Sequence, residues 1–239
     1  MEPDLSYEIF PLGDSAVTID LGNRICGTLN NKVLAMQQWL TSHPCEWIRD
    51  IILGYSSISI LYDPIIIHKK YKLKTTALDF VKTTLEKAYK ASPISNAQPR
   101  EEVDLPVCYD ESFGTDLSFI AKSKQLSIEE VINIHLSQVY RVYMMGFLPG
   151  FPYMGEVDKR IQVPRKQKPE PVHAGSVGIA AGQTGIYPLE SPGGWQIIGR
   201  TPIDLFQPNE TSPVRLRAGQ SVRFYQVSLT EFDQLASHK

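Results

Sequence analysis

Cysteine is scarce in this sequence: Cys26, Cys45 and Cys108 are 3 in 239 residues, far apart and without Cys-x-x-Cys spacing. That usage excludes a disulfide-stapled scaffold and fits reduced thiols, and no accompanying His or Lys pattern would activate one of them. Histidine is also thin. His43, His68, His135, His173 and His238 stand singly, so no metal cluster is spelled out and none is expected. An excess of one charge is missing, since 24 Lys+Arg against 26 Asp+Glu leave a net −2. This argues against nucleic acid or an anionic membrane as partner, because either requires a basic face. Long apolar runs are missing too: Ile51 to Leu61 and Ile65 to Ile67 are interrupted by Gly54, Ser56, Ser57, Ser59 and Asp63, too soon to span a bilayer. The start, Met1-Glu2-Pro3-Asp4, has neither the basic nor the apolar region of a secretory signal, so a cytoplasmic location is expected. Three chemical motifs are absent: the phosphate-binding Gly-x-x-x-x-Gly-Lys-Ser/Thr loop, a helix-opening Gly-x-Gly-x-x-Gly, and His-Glu-x-x-His. A nucleotide, if used, is not held here by a P-loop. No solenoid or propeller repeat is visible.

What is present is the composition of an ordinary globular chain, 42% hydrophobic and 21% charged, long enough to bury one large core or two small ones. Tyr7 to Pro11 and Ala16 to Leu21 read as strands joined through Gly13-Asp14, a dipeptide of tight hairpins. Leu29, Val33, Met36 and Leu40 recur at the spacing of one helical face. Trp47 to Leu53 and Ser57 to Tyr62 form a second strand pair closed by Asp63-Pro64. Leu73, Ala77, Val81, Leu85 and Ala88 then mark a second amphipathic helix. The order of two strands, helix, two strands, helix predicts a two-layer α+β domain over residues 1–91 with both helices on one sheet face. Residues 92–102, with two prolines and little to bury, read as a linker.

Beyond it, Val103 to Cys108 reads as a strand, and Ser127 with Glu130 three residues on forms a capping box for a helix carrying Val131, Ile132, Ile134 and Leu136. Composition then shifts: ten of the chain's 16 glycines lie between Gly146 and Gly199, among prolines and short β-prone runs such as Ser176 to Ala180, Gly185 to Tyr187 and Trp195 to Ile198. Val214 to Leu216 and Ser221 to Val227 read as further strands, and Ser228 with Glu231 as the cap of a terminal helix. Many short strands with Gly/Pro corners predict a barrel or sandwich over residues 103–239.

Candidate chemistry concentrates between His135 and Pro202. The stretch from Met145 to Gly155 mixes aromatics with Gly and Pro too closely for a helix or central strand and predicts a rigid loop. Its Phe147, Pro149, Gly150 and Phe151 are read either as a pocket wall or as packed corners. Gly175-Ser176 and Ser191-Pro192-Gly193-Gly194-Trp195 suit turns whose N–H groups bind an anion, or plain turns. Arg141, Arg165 and Arg200 are fixed charges able to grip a carboxylate with two parallel bonds, or to form surface ion pairs. His135 suits a proton shuttle or a packed helix face.

Four blocks, Gly146 to Gly155, Gly175 to Ala180, Gln183 to Pro188 and Ser191 to Pro202, closely resemble the family of 5-oxoprolinase B subunits, which includes a sporulation histidine-kinase inhibitor and is similar to allophanate hydrolase subunit 1 and half of the urea carboxylase carboxyltransferase domain. The likeness runs from Pro11-Leu12-Gly13-Asp14 through Tyr62-Asp63-Pro64 to the final strands. It implies an α+β two-domain fold: a small DCoH-like two-layer α/β domain at the N-terminal end, then a cyclophilin-like β-barrel. It also implies one component of an ATP-dependent enzyme that opens 5-oxo-L-proline to L-glutamate with subunits A and C, ATP being bound mainly by a partner. On that reading Arg165 or Arg200 clamps the substrate carboxylate, Ser176 and the Gly193-Gly194 backbone donate to an oxyanion, and His135 moves protons. Phe147, Pro149, Gly150, Phe151, Gln183, Tyr187, Ser191 and Trp195 line the lactam. Family members usually carry a Pro-Arg pair and a Val/Ile-Pro before the Gly-Ser. Here Pro169-Glu170-Pro171-Val172-His173-Ala174 stands instead, and Glu170 is left outside the expected site. Two other roles remain open by resemblance: an inhibitor docking on a sensor histidine kinase, and half of an allophanate hydrolase or biotin-dependent carboxyltransferase site, although no Met-Lys-Met biotin-attachment sequence is present.

Overall fold

The computed structural model describes residues 6–93 and 101–237. The chain divides into two compact units, Met1–Pro99 and Arg100–Lys239. The expected linker, 92–102, falls mostly outside the described residues.

In the first unit, strands β1 (Glu8–Pro11), β2 (Ala16–Asp20), β3 (Ile48–Leu53) and β4 (Ser57–Tyr62) form an antiparallel sheet in the order β1-β2-β4-β3. Helix α1 (Gly27–Ser42) connects β2 to β3, and helices α2 (Pro64–Tyr71) and α3 (Ala77–Ala91) follow β4. Alternate strand residues Val17, Ile19, Ile58 and Ile60 join one buried cluster with Leu29, Val33, Met36 and Leu40 of α1 and Val81, Leu85 and Ala88 of α3. The periods of two and of three-to-four seen in the sequence thus meet in one core. Helix α2 departs from expectation. Asp63-Pro64 does not merely close a strand: the Asp63 carboxylate accepts from the N–H groups of Ile65 and Ile66, and Pro64 occupies the first helical turn, where its missing N–H is harmless. Leu73 lies before α3, which starts from a capping box formed by Thr76 and Asp79.

The second unit holds β5 (Glu102–Val107), α4 (Leu117–Lys124), α5 (Ile128–Leu136), β6 (Val139–Met145), β7 (Pro152–Gly155), β8 (Glu170–Val172), β9 (Ser176–Ala180), β10 (Gln183–Ile186), β11 (Ser191–Gly193), β12 (Gln196–Arg200), β13 (Ser221–Gln226) and α6 (Leu229–Ser237). Seven strands form one sheet in the order β12-β9-β10-β7-β6-β13-β5, with only β13 and β5 parallel, while β8 and β11 pair separately. The sheet curls until its two edges meet, because Cys108, just past β5, exchanges both backbone hydrogen bonds with Arg200 of β12 at 2.8 and 2.9 Å. Val131, Ile132 and Ile134 of α5 share a core with Tyr140, Val142, Val177, Ile179, Val222 and Phe224 from the strands.

Both expected capping boxes form: the Ser127 hydroxyl accepts from the Glu130 N–H, and Ser228 with Glu231 repeats the arrangement at α6. Two expectations fail. The Met145 to Gly155 stretch is not all loop, since β7 lies centrally between β10 and β6. Pro152 is tolerated there as the strand's first residue, where a missing donor disturbs the ladder least. Val214 to Leu216 forms no strand, only an isolated bridge from Val214 to Phe206.

Candidate functional site

Glycine placement in the second unit makes room for aromatic rings. A Cβ on Gly185 would sit 3.0 Å from both Phe151 and Trp195, and one on Gly193 would sit 2.7 Å from the Tyr187 ring. With those Cβ atoms absent, Phe151, Tyr187 and Trp195 close into one cluster with Val172 and Ala180. Phe151 meets Tyr187 and Trp195 edge-on at 5.2 and 5.5 Å, in the geometry the ring quadrupole favours. These three side chains are buried, Trp195 being 4% exposed. They therefore pack as a closed aromatic floor and not as an open wall. Solvent meets Phe147, Pro149, Arg165 and the partly covered Tyr153 above them.

Phe147 is the most unusual of these. It is 60% exposed and has φ +67°, a left-handed backbone that side chains rarely adopt, at the tip of the loop between β6 and β7. Its ring meets Phe151 and Tyr187 edge-on at 5.6 and 6.2 Å. The left-handed backbone holds this apolar ring out toward solvent. Gly150, with φ +83°, turns the same loop back, and Pro149 lies exposed beside it.

Arg165 lies across this floor, its guanidinium carbon 5.8 Å from the Trp195 ring centroid. Burial raises the Tyr153 and Tyr187 phenol pKa values. The Arg165 charge pulls Tyr153 back, and at Tyr187 the Trp195 N–H and then Arg165 do so. Lys166 points inward, bonded to Asp116 at 2.8 Å and Glu170 at 2.6 Å. Burial works against its charge, but those two carboxylates outweigh it and hold its pKa above the usual lysine value. The same Asp116 carboxylate accepts from the Ile197 N–H at 2.7 Å, and the Lys166 N–H donates to Gly194 O at 2.7 Å. Lys166 thereby ties the Arg165 loop to the start of α4 and to the chain around Trp195, just before β12. Asp116, Tyr153 and Lys166 are not visible as site residues in the sequence. The only local signal is the Arg165-Lys166 pair of cations, and Glu170, outside the expected site, is one end of this ion-pair bridge.

Other expected residues sit elsewhere or are occupied. Arg200 donates from Nε to Ala174 O at 2.8 Å and lies over Phe113 and Phe232, a different aromatic group from that beneath Arg165. Arg141 is buried over the Tyr143 ring. Ser176 is buried and its N–H is committed to His173 O, while the Gly175 N–H is committed to Tyr187 O, so that turn offers no free pair of donors to an oxyanion. Gln183 pairs with Ala180 and Gly155 in the ladder. Ser191 lies on the β8–β11 arm, its buried hydroxyl without a hydrogen-bond partner among the described residues. Gly193 pairs with Glu170 across that arm, and Gly194 is partly exposed beside it.

His135 is a structural hub, which corrects the expectation of a proton shuttle. It is fully buried, with its ring stacked on Phe224 at 5.0 Å. The Thr184 hydroxyl donates to Gly178 O at 3.1 Å, so Nε2–H must donate to Thr184 Oγ1 at 3.2 Å, leaving Nδ1 to accept from the Tyr109 hydroxyl at 2.8 Å. One neutral tautomer completes the chain of bonds. Burial lowers the His135 pKa to about 3. Since unfolding restores a pKa near 6.5, stability is full above that pH and falls as pH drops toward 3, by a total of roughly 4–5 kcal/mol. We expect urea midpoints to fall between pH 7 and pH 4, and the slope to flatten in His135→Gln. An equally steep slope in that variant would count against the assignment.

Among the described residues no helix is long and apolar enough to cross a membrane. Residues 7–216 match the family model for the carboxyltransferase domain, subdomain C and D, which defines the class of protein. The fold agrees: the Kluyveromyces lactis urea carboxylase structure superposes with a TM-score of 0.78 at 20% identity, covering 99% of this chain and 23% of that one. Within that class the relatives are specific. The 5-oxoprolinase B subunit of Bacillus subtilis (strain 168) is 42% identical over 228 residues, 95% of each chain, and that of Haemophilus influenzae is 36% identical over 217 residues, 90% of this chain and 96% of the other. The chain belongs to the family of 5-oxoprolinase B subunits.

Proposed function

We propose that this chain is the B component of an ATP-dependent 5-oxoprolinase, active with subunits A and C in the cytoplasm, and that it supplies the surface on which the lactam is held. The observation that carries the reading is Arg165 poised over a rigid aromatic floor, in a chain that matches such a component along 95% of its length. The two units are read as DCoH-like and cyclophilin-like, in keeping with the four-stranded two-layer unit and the curled sheet.

The chemistry explains the division of labour. The lactam of 5-oxoproline is a resonance-stabilised amide in a nearly strainless ring, so water attacks it slowly. Transfer of the ATP γ-phosphoryl group to the amide oxygen activates the ring carbon and leaves ADP. Water adds to that carbon, the ring C–N bond breaks with the proton passing to the departing amine, and an acyl phosphate remains. A second water releases phosphate and the L-glutamate carboxylate. This sequence needs a phosphate donor, an oriented substrate and exclusion of bulk water. Arg165 orients by pairing with the substrate carboxylate, and Phe147 and Tyr153 present apolar surface to the ring. Of the expected oxyanion donors, Ser176 and the Gly193-Gly194 backbone, this reading keeps the Gly194 N–H at the mouth of the arm. Phe147 and Pro149, exposed at the rim, are where partner subunits close the site, and ATP is held mainly by them. The test is ATP-dependent glutamate release from 5-oxo-L-proline. We expect activity when the chain is combined with its partner subunits and none from the partners alone; partners fully active without this chain would overturn the reading.

A further inference from the structure

A second polar site lies beside the aromatic loop. A cleft of about 250 Å³ opens between the start of β5 and the chain following β12, lined by Asp204, Gln207, Ser212, Arg215, Arg217 and Glu101 among others. Its walls are fixed by hydrogen bonds. The 206–214 loop is closed by Gln207 N–H donating to Pro213 O at 2.8 Å, and Arg215 N–H donates to Leu205 O at 3.0 Å. Gln220 accepts from the Arg217 N–H at 2.7 Å and donates to the Glu101 carboxylate at 2.8 Å, which leaves Glu101 occupied.

That hydrogen bond from the Gln220 amide leaves the Glu101 charge in place, so the wall carries two carboxylates, Glu101 and Asp204, beside two guanidinium groups. Among the described residues neither Arg215 nor Arg217 has an ion pair, and the only side-chain bond is from Arg217 Nη2 to Ser212 Oγ at 3.3 Å. Each of these groups presents a planar fork of donors suited to phosphate oxygens. The cleft also abuts the aromatic loop: a Cβ on Gly150 would lie 3.0 Å from Leu205 O and 3.3 Å from Val214, two residues of the cleft wall. We infer that this cleft is a phosphate-binding site, holding either free phosphate or the terminal phosphate of a nucleotide. The two carboxylates in the wall balance the two guanidinium charges, so affinity rests on directed guanidinium bonds and not on a general positive field. The site rests on this geometry alone. Its link to turnover rests on the hydrolase reading, whose reaction both consumes a γ-phosphoryl group and releases phosphate.

The test is a phosphorus NMR titration of the full chain with inorganic phosphate. Saturable binding is expected, weakened at least tenfold in Arg215→Gln and in Arg217→Gln, about 1.4 kcal/mol. It should be unchanged in Arg223→Gln, whose guanidinium is paired with Glu102 at 2.6 Å. Absence of saturation up to about 50 mM, or equal loss in all three variants, overturns the site. A non-hydrolysable ATP analogue separates the two sources: displacement of phosphate, with the same variant dependence, assigns the site to a nucleotide, and lack of displacement assigns it to free phosphate. An active reconstituted enzyme in which this chain binds no phosphate overturns this inference alone. Variant-sensitive phosphate binding beside an inactive reconstituted enzyme overturns the hydrolase reading and leaves the site standing.

Discussion

Arg165→Ala should lower kcat/KM for 5-oxoproline by about a hundredfold in the reconstituted enzyme, roughly 2.7 kcal/mol, the scale of a lost bidentate charged pair. Arg165 is exposed, and its ring contact is with Trp195, so folding should be nearly untouched and the thermal midpoint should stay in place. Arg165→Lys should restore little, because an ammonium is a point charge and cannot form two parallel bonds to a carboxylate. Arg200→Ala provides the contrast. That guanidinium holds Ala174 O and packs on Phe113 and Phe232, so its loss should register in stability more than in turnover. An Arg165→Ala enzyme within threefold of the parent would remove Arg165 from the substrate site.

The largest stability effect is expected at Gly175. Its φ is +83°, and a Cβ there would overlap the Thr201 carbonyl oxygen. Neither side can yield, because the Gly175 N–H donates to Tyr187 O at 2.7 Å and its carbonyl accepts from Thr201 N–H at 2.9 Å. Left-handed strain of about 1–2 kcal/mol and overpacking of about 1–3 kcal/mol add to roughly 3 kcal/mol for Gly175→Ala. The corresponding fall in thermal midpoint is about 10 °C. Gly194→Ala is the control, since nothing but Lys166 O at 3.8 Å approaches its missing Cβ. Equal midpoints for the two variants would show that the Gly175 turn relaxes freely.

Much of the fold was legible because local patterns carry it. Period-two alternation marks β2 and β4, the three-and-four spacing marks α1 and α3, and Ser127/Glu130 and Ser228/Glu231 announce α5 and α6 through bonds spanning three residues. Legibility ends where a local signal has two uses. Asp63-Pro64 can end a strand or begin a helix, and the helix forms from the Asp63 cap although Ile65, Ile66 and Ile67 are β-branched. Pro152 reads as loop until its neighbours supply ladder partners on both sides.

By itself, then, the sequence determined the aromatic and glycine-rich character of its second part, and the family, because these reside in composition and contiguous blocks. Tertiary structure alone decided which arginine meets the aromatic cluster, that Lys166 is held by Asp116 and Glu170, and that His135 is sealed in the core. The reason is physical: an ion pair, a ring contact or the burial of an imidazole depends on distances between distant segments, and those distances exist only once the curled sheet brings α4, α5 and β12 together.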